Sequence, residues 1–154
     1  DWRARAHMTR AGALGVLGGP LSALARGGLA RTMVPMSAVA NLRRMSRNRA
    51  LSHLCAVDPH GGAARVPLGF LASYLRFAHT PPERNRTPVT LLHPGRDAWT
   101  PVELSARVLS RAAGPAELVV LRECGHFPVE DPGVTDLVDA VADLARRLGS
   151  RGGD

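Results

Sequence analysis

The grain of the apolar positions changes near residue 87. Before it, apolar residues come in short bursts cut by Gly and Pro, a pattern that predicts short helices and turns. Candidate helices are 21–31, 35–55 and 68–78. The middle one carries Met36, Val39, Leu42, Met45, Leu51 and Leu54 near helical spacing, and no stretch up to residue 86 reads as a strand.

From 87 onward the pattern is regular. PVTLLH (88–93) predicts a short strand. Thr100 stands as the cap of the next helix, with Pro101 at its first position and Glu103 completing a capping box. That helix is expected to reach Ala112 and to stop before Gly114-Pro115. LVVL (118–121) is a continuous apolar run, as in a strand covered on both faces. Asp131 is expected to cap a last helix from Pro132, with an apolar stripe at Val134, Leu137, Val138, Val141, Leu144 and Leu148, closed by Gly149. Strand–helix–strand–helix predicts two parallel strands joined by a right-handed crossover. Asp97 follows the first strand and His126 the second, so both fall beyond the carboxyl ends, where functional groups of such sheets gather.

Composition adjusts this picture. The chain has 154 residues, 45% of them hydrophobic, enough for a real core, with 16 Gly and 12 Pro. All 20 basic residues are Arg, which reads as a coding bias and discounts the net charge of +7. Residues 1–80 hold 11 Arg against Asp1 and Asp58; residues 81–154 hold 9 Arg against 11 acids. A basic first half is open to anionic lipid, acidic substrate or nucleic acid. Arg43, Arg44, Arg47 and Arg49 have no interleaved aromatic residue and read as a solvated face, so no nucleic-acid partner is expected. Cys55 and Cys124 read as free thiols in a reducing, cytoplasmic setting. No apolar run is long enough to span a membrane, and no stable membrane insertion is expected. MTRAGALGVLGGPLSALA (8–25) imitates a secretory signal, but its glycines and Pro20 favour a broken helix pair. His53, Cys55 and His60 match no strong zinc spacing.

HPGRDAWTP (93–101) followed by ECGHFPVEDP (123–132) resembles the last part of the α/β-hydrolase fold. The resemblance implies that Asp97 is the acid and His126 the histidine of a triad ordered nucleophile, acid, histidine. The stretch SRNRALSHLCAVDPHGGAARVPLGFL (46–71) is similar to the cap of hydrolases of the monoacylglycerol-lipase and serine-aminopeptidase kind. In these enzymes Gly usually follows the residue at His93, where this chain has Pro94. No Gly-x-Ser-x-Gly occurs, and Ser22 in GGPLSALARGG does not fit one.

The expected fold class is therefore α/β: the C-terminal portion of a hydrolase core (87–150) preceded by a helical cap (1–86), with the N-terminal half and its nucleophile lying outside these residues. The resemblance implies hydrolysis of an ester, thioester or amide through an acyl-enzyme, a small acyl substrate that includes lipid-like ones, and no metal or organic cofactor. An aspartate nucleophile, as in dehalogenases and epoxide hydrolases, and a non-catalytic module with a basic cap surface remain the alternatives. Trp99 is placed either as a pocket wall or as core, and Glu130 and Asp131 as a solvated helix start.

Overall fold

The computed structural model describes residues 7–10 and 23–151. It divides into two compact units, Asp1–Thr80 and Pro81–Asp154. Most of the broken helix pair expected in 8–25 lies outside the described residues.

In the first unit a 3-10 turn (Gly27–Arg31) leads into strand β1 (Met33–Pro35) and the single-turn helix α1 (Met36–Val39). A 3-10 turn (Leu42–Arg44) precedes α2 (Arg49–Val57), strand β2 (Arg65–Pro67) and α3 (Leu68–Arg76). The expectation of helices alone is corrected here. β1 and β2 pair antiparallel with Val34 opposite Val66, and each ends in a Pro whose extended backbone starts the following helix. The helix expected over 35–55 is broken in two places. Near Ala40 and Asn41 the backbone bonds to the Met8–Arg10 segment instead, through Arg10 N–H to Val39 O and Asn41 N–H to Met8 O. At 46–48 the side chains take over: Ser46 Oγ accepts from Asn48 N–H, and Asn48 Oδ1 caps α2 at Ala50 and Leu51. Ser and Asn compete with the helix ladder in this way because their oxygens reach nearby N–H groups. The helix expected at 68–78 is present as α3.

The second unit follows the predicted order: β3 (Val89–Pro94), α4 (Val102–Leu109), β4 (Ala116–Leu121) and α5 (Gly133–Arg151). β3 and β4 are parallel, in register from Val89 opposite Ala116 to Pro94 opposite Leu121, and both helices pack on them. Leu121 is fully buried, while Val120 is exposed, so coverage on both faces of LVVL is only partly realised. α5 runs through Gly149 to Arg151. Its first turn sits so close to the turn after β4 that a Cβ at Gly133 would stand against Cys124 Sγ and Cβ and 2.7 Å from Arg122 O. Arg122 fastens the same junction: its backbone N–H and guanidinium both donate to Asp136 in the first turn of α5. Among the described residues no helix is long and apolar enough to cross a membrane.

Candidate active site

Parallel pairing ends β3 and β4 side by side, and backbone bonds then hold the two following loops together. Gly95 N–H donates to Leu121 O at 2.7 Å and Arg96 N–H to Cys124 O at 3.0 Å. Gly95 lies so near β4 that a Cβ there would meet Leu121 O at 2.9 Å. The turn at Glu123 takes a left-handed backbone, φ 51°, and Gly125 N–H donates to Glu130 Oε2. These constraints bring Asp97 and His126 together across 29 positions of sequence. Asp97 Oδ2 lies 2.8 Å from His126 Nδ1.

The Asp97 carboxylate is enclosed, its side chain only 1% exposed, and it is heavily bonded. Oδ1 accepts from Trp99 N–H at 2.8 Å and Thr100 N–H at 2.9 Å; Oδ2 accepts from Thr100 Oγ1–H at 2.6 Å. Burial alone would raise its pKa, but the bonds from His126, the Thr100 hydroxyl and the two backbone N–H groups outweigh it and hold Asp97 at about 2. Asp97 is therefore an anion at neutral pH. Facing that anion, an imidazole with its hydrogen on Nδ1 can donate to Oδ2 and keep the Nε2 lone pair as an acceptor. The His126 side chain is 30% exposed, and its Nε2 carries no hydrogen bond to a described residue. Trp99 meets the ring edge-to-face at 4.8 Å and Phe127 flanks it at 5.6 Å. Trp99 thus stands, half-buried, against the imidazole.

Two contributions were not foreseen from the sequence. Thr100, expected to cap α4, makes no cap bond; Pro101 occupies that position and Thr100 turns to Asp97. The Asp-x-x-Thr spacing, in which a carboxylate bonds backbone two and three residues on, was the available signal. Glu130 holds Gly125 beside His126 instead of standing free in solvent. Asp131 accepts from Thr135 Oγ1 in the first turn of α5. Cys124 is buried beneath the site; burial pushes its thiol up, and Sγ–H donates to Leu121 O, so it offers no thiolate. Arg43, Arg44, Arg47 and Arg49 are exposed, and among the described residues no group of three or more His, Cys, Asp or Glu is placed to hold a metal ion.

No family model matches the chain. Among solved structures it is similar to the monoacylglycerol lipase of Paleococcus ferrophilus, with a TM-score of 0.60 and 20% identity, over 81% of this chain and 49% of the lipase chain. The chain carries part of the α/β-hydrolase fold. The two parallel strands with their helices expected after residue 87 are present as β3–α4–β4–α5. A curated relative, the methylphloroacetophenone synthase of Cladonia uncialis, is 38% identical over 74 residues, covering 42% of this chain and 3% of the synthase. The chain spans about half the length of the lipase and a small fraction of the synthase.

Proposed function

We propose that this chain supplies the acid–base half of an α/β-fold hydrolase, in which Asp97 orients and steadies His126 and His126 acts as general base on a nucleophile outside these 154 residues. The observation that carries the reading is the 2.8 Å contact between the enclosed Asp97 carboxylate and His126 Nδ1. In the proposed cycle Nε2 takes the proton of a serine hydroxyl as the oxygen attacks an acyl carbonyl. It then returns that proton to the departing alcohol, thiol or amine, and an acyl-enzyme remains for water to cleave. Asp97 stays ionised throughout and stabilises the imidazolium. The solved neighbour is a lipase of monoacylglycerols, which are acyl esters, and this supports a small acyl substrate, lipid-like ones included. The two free thiols suit a reducing cytoplasm.

The test joins the chain to the reading frame on the N-terminal side of Asp1 and follows steady-state hydrolysis of a short-chain nitrophenyl ester. Asp97→Asn and His126→Ala should each lower turnover by roughly a thousandfold or more, with a double variant little worse than either single one. Near-normal turnover in Asp97→Asn would sink the assignment. The 154-residue chain by itself should not react with a serine-directed fluorophosphonate; stoichiometric labelling would place the nucleophile inside it.

A further inference from the structure

Thr100 grips both oxygens of Asp97. Its backbone N–H donates to Oδ1 at 2.9 Å and its hydroxyl to Oδ2 at 2.6 Å, while Trp99 N–H adds a second donor on Oδ1. The carboxylate is thereby pinned at both ends by one residue, and Oδ2 is held toward the imidazole. The same hydroxyl oxygen lies 3.4 Å from His126 Nδ1. A threonine hydroxyl has one proton and two lone pairs. With the proton committed to Asp97, only lone pairs remain on the side of the ring. Both oxygens facing Nδ1 are then acceptors, and an Nδ1 without hydrogen would meet lone pairs from two directions.

We infer that Thr100 is a positioning residue whose hydroxyl fixes His126 in the tautomer with hydrogen on Nδ1, by clamping Asp97 Oδ2 and by presenting only an acceptor to the ring. The inference rests on the proposed roles of Asp97 and His126 and deepens them: the orienting group is a carboxylate–hydroxyl pair. A structural role as helix cap does not account for Thr100, because its side chain bonds no N–H of α4.

The tautomer of neutral His126 is read from its ring nitrogen shifts in the 154-residue chain carrying labelled histidine, with the His126 signals assigned by their loss in His126→Gln. The wild type should show hydrogen on Nδ1. Thr100→Val, which keeps the shape and removes the hydroxyl, should lower the ratio of the Nδ1–H to the Nε2–H form roughly two- to tenfold, the worth of one hydrogen bond. Thr100→Ser should restore the wild-type ratio. An unchanged ratio in Thr100→Val overturns the inference, as does a Thr100→Ser ratio displaced as far as that of Thr100→Val, since the methyl group would then be what matters. Asp97→Asn separates the two levels. If it shifts the ratio and Thr100→Val does not, the Thr100 inference alone falls. If it does not, the Asp97–His126 reading falls with it. Should Thr100→Val lose the amide signals of β3 and β4, Thr100→Ala takes its place. The wild type gives an independent reading: the Thr100 hydroxyl proton should exchange slowly with water, and fast exchange like that of an exposed threonine overturns the inference.

Discussion

Among the described residues, the Asp1–Thr80 unit encloses Ala40, Ala72, Ser46 and Ser52, whereas the Pro81–Asp154 unit encloses Leu121, Cys124, His93 and Asp97. The first unit closes around small side chains and leaves Phe70, Tyr74 and Phe77 exposed along α3 and its end. Its shape is held by turn and cap bonds around a strand pair of three residues each. The second closes around a six-residue parallel ladder and a buried carboxylate whose bonds come from two loops. Distant segments meet in both units, Val34 with Val66 in the first and β3 with β4 in the second. In the second, that meeting also brings Asp97 to His126.

If the units are as separate as these two ways of closing imply, a clash in one should leave the other intact. Gly133→Ala puts a methyl against Cys124 and the Arg122 carbonyl; Gly62→Ala puts one 2.8 Å from Ala56 Cα and against Leu42. Each should cost about 3 kcal/mol by overpacking. Hydrogen exchange should rise in β3, β4 and α5 for Gly133→Ala, and in β1, β2 and α2 for Gly62→Ala. Loss of protection throughout the chain in either variant would break the comparison.

Acid sharpens it in a different way. Asp97 and Asp136 both sit at about 2 against an ordinary 3.8, Asp136 because Arg122 donates to it. Their folded values are depressed, so the folded unit binds fewer protons than the unfolded one, and their stabilisation is complete above about pH 4. It is lost as pH falls through about 2. Residues 1–80 contain only two carboxylates, Asp1 and Asp58. Between pH 4 and 2, protection should therefore fade in the second unit and hold in the first, and Asp97→Asn should flatten part of that loss. Equal fading in both units would show that carboxylates do not separate them.

These differences explain what could be read from the sequence. The second unit was legible because its parallel strands carry short apolar-rich runs at 88–93 and 118–121, even with Val120 exposed, and its loops put Asp97 and His126 at one edge. The first was not. Three-residue strands ending in Pro are too short to show alternation, and the pairing of Val34 with Val66 is nonlocal. The break near Ala40 depends on Met8–Arg10, which no helical periodicity contains. Thr100 misled for a physical reason: cap and carboxylate compete for one hydroxyl, and the buried anion wins because an unmet charge costs more than an uncapped turn.

Ser52 tests the polar centre of the first unit. Its hydroxyl accepts from Ser46 N–H at 3.2 Å and donates to Ser46 O at 3.0 Å, both within buried surroundings. Ser52→Ala removes both bonds to the Ser46 backbone and should cost about 2 kcal/mol. Urea unfolding followed through exchange of α2 amides measures it. A loss below about 0.5 kcal/mol would mean water reaches Ser46 and the unit is not closed there.

The smallest expected effect compares one kind of bond in both units. Glu130 Oε2 accepts from Gly125 N–H, which is buried beside His126; Asp58 Oδ1 accepts from His60 N–H in an exposed turn. Replacement by the amide keeps an acceptor oxygen, so Glu130→Gln and Asp58→Asn should each cost no more than about 0.5 kcal/mol. Removing the acceptor should split them. Asp58→Ala leaves an N–H that water can satisfy, for about 0.5 kcal/mol, whereas Glu130→Ala leaves a buried one, for about 1–2 kcal/mol. Thermal unfolding of the four variants measures the stability side, and the ring nitrogen signals of His126 report whether its loop has moved. They should move in Glu130→Ala and stay in Glu130→Gln. Equal costs for the two alanine variants, with His126 undisturbed in both, would show that the loop beside His126 is held by its other bonds and that burial at Gly125 adds nothing.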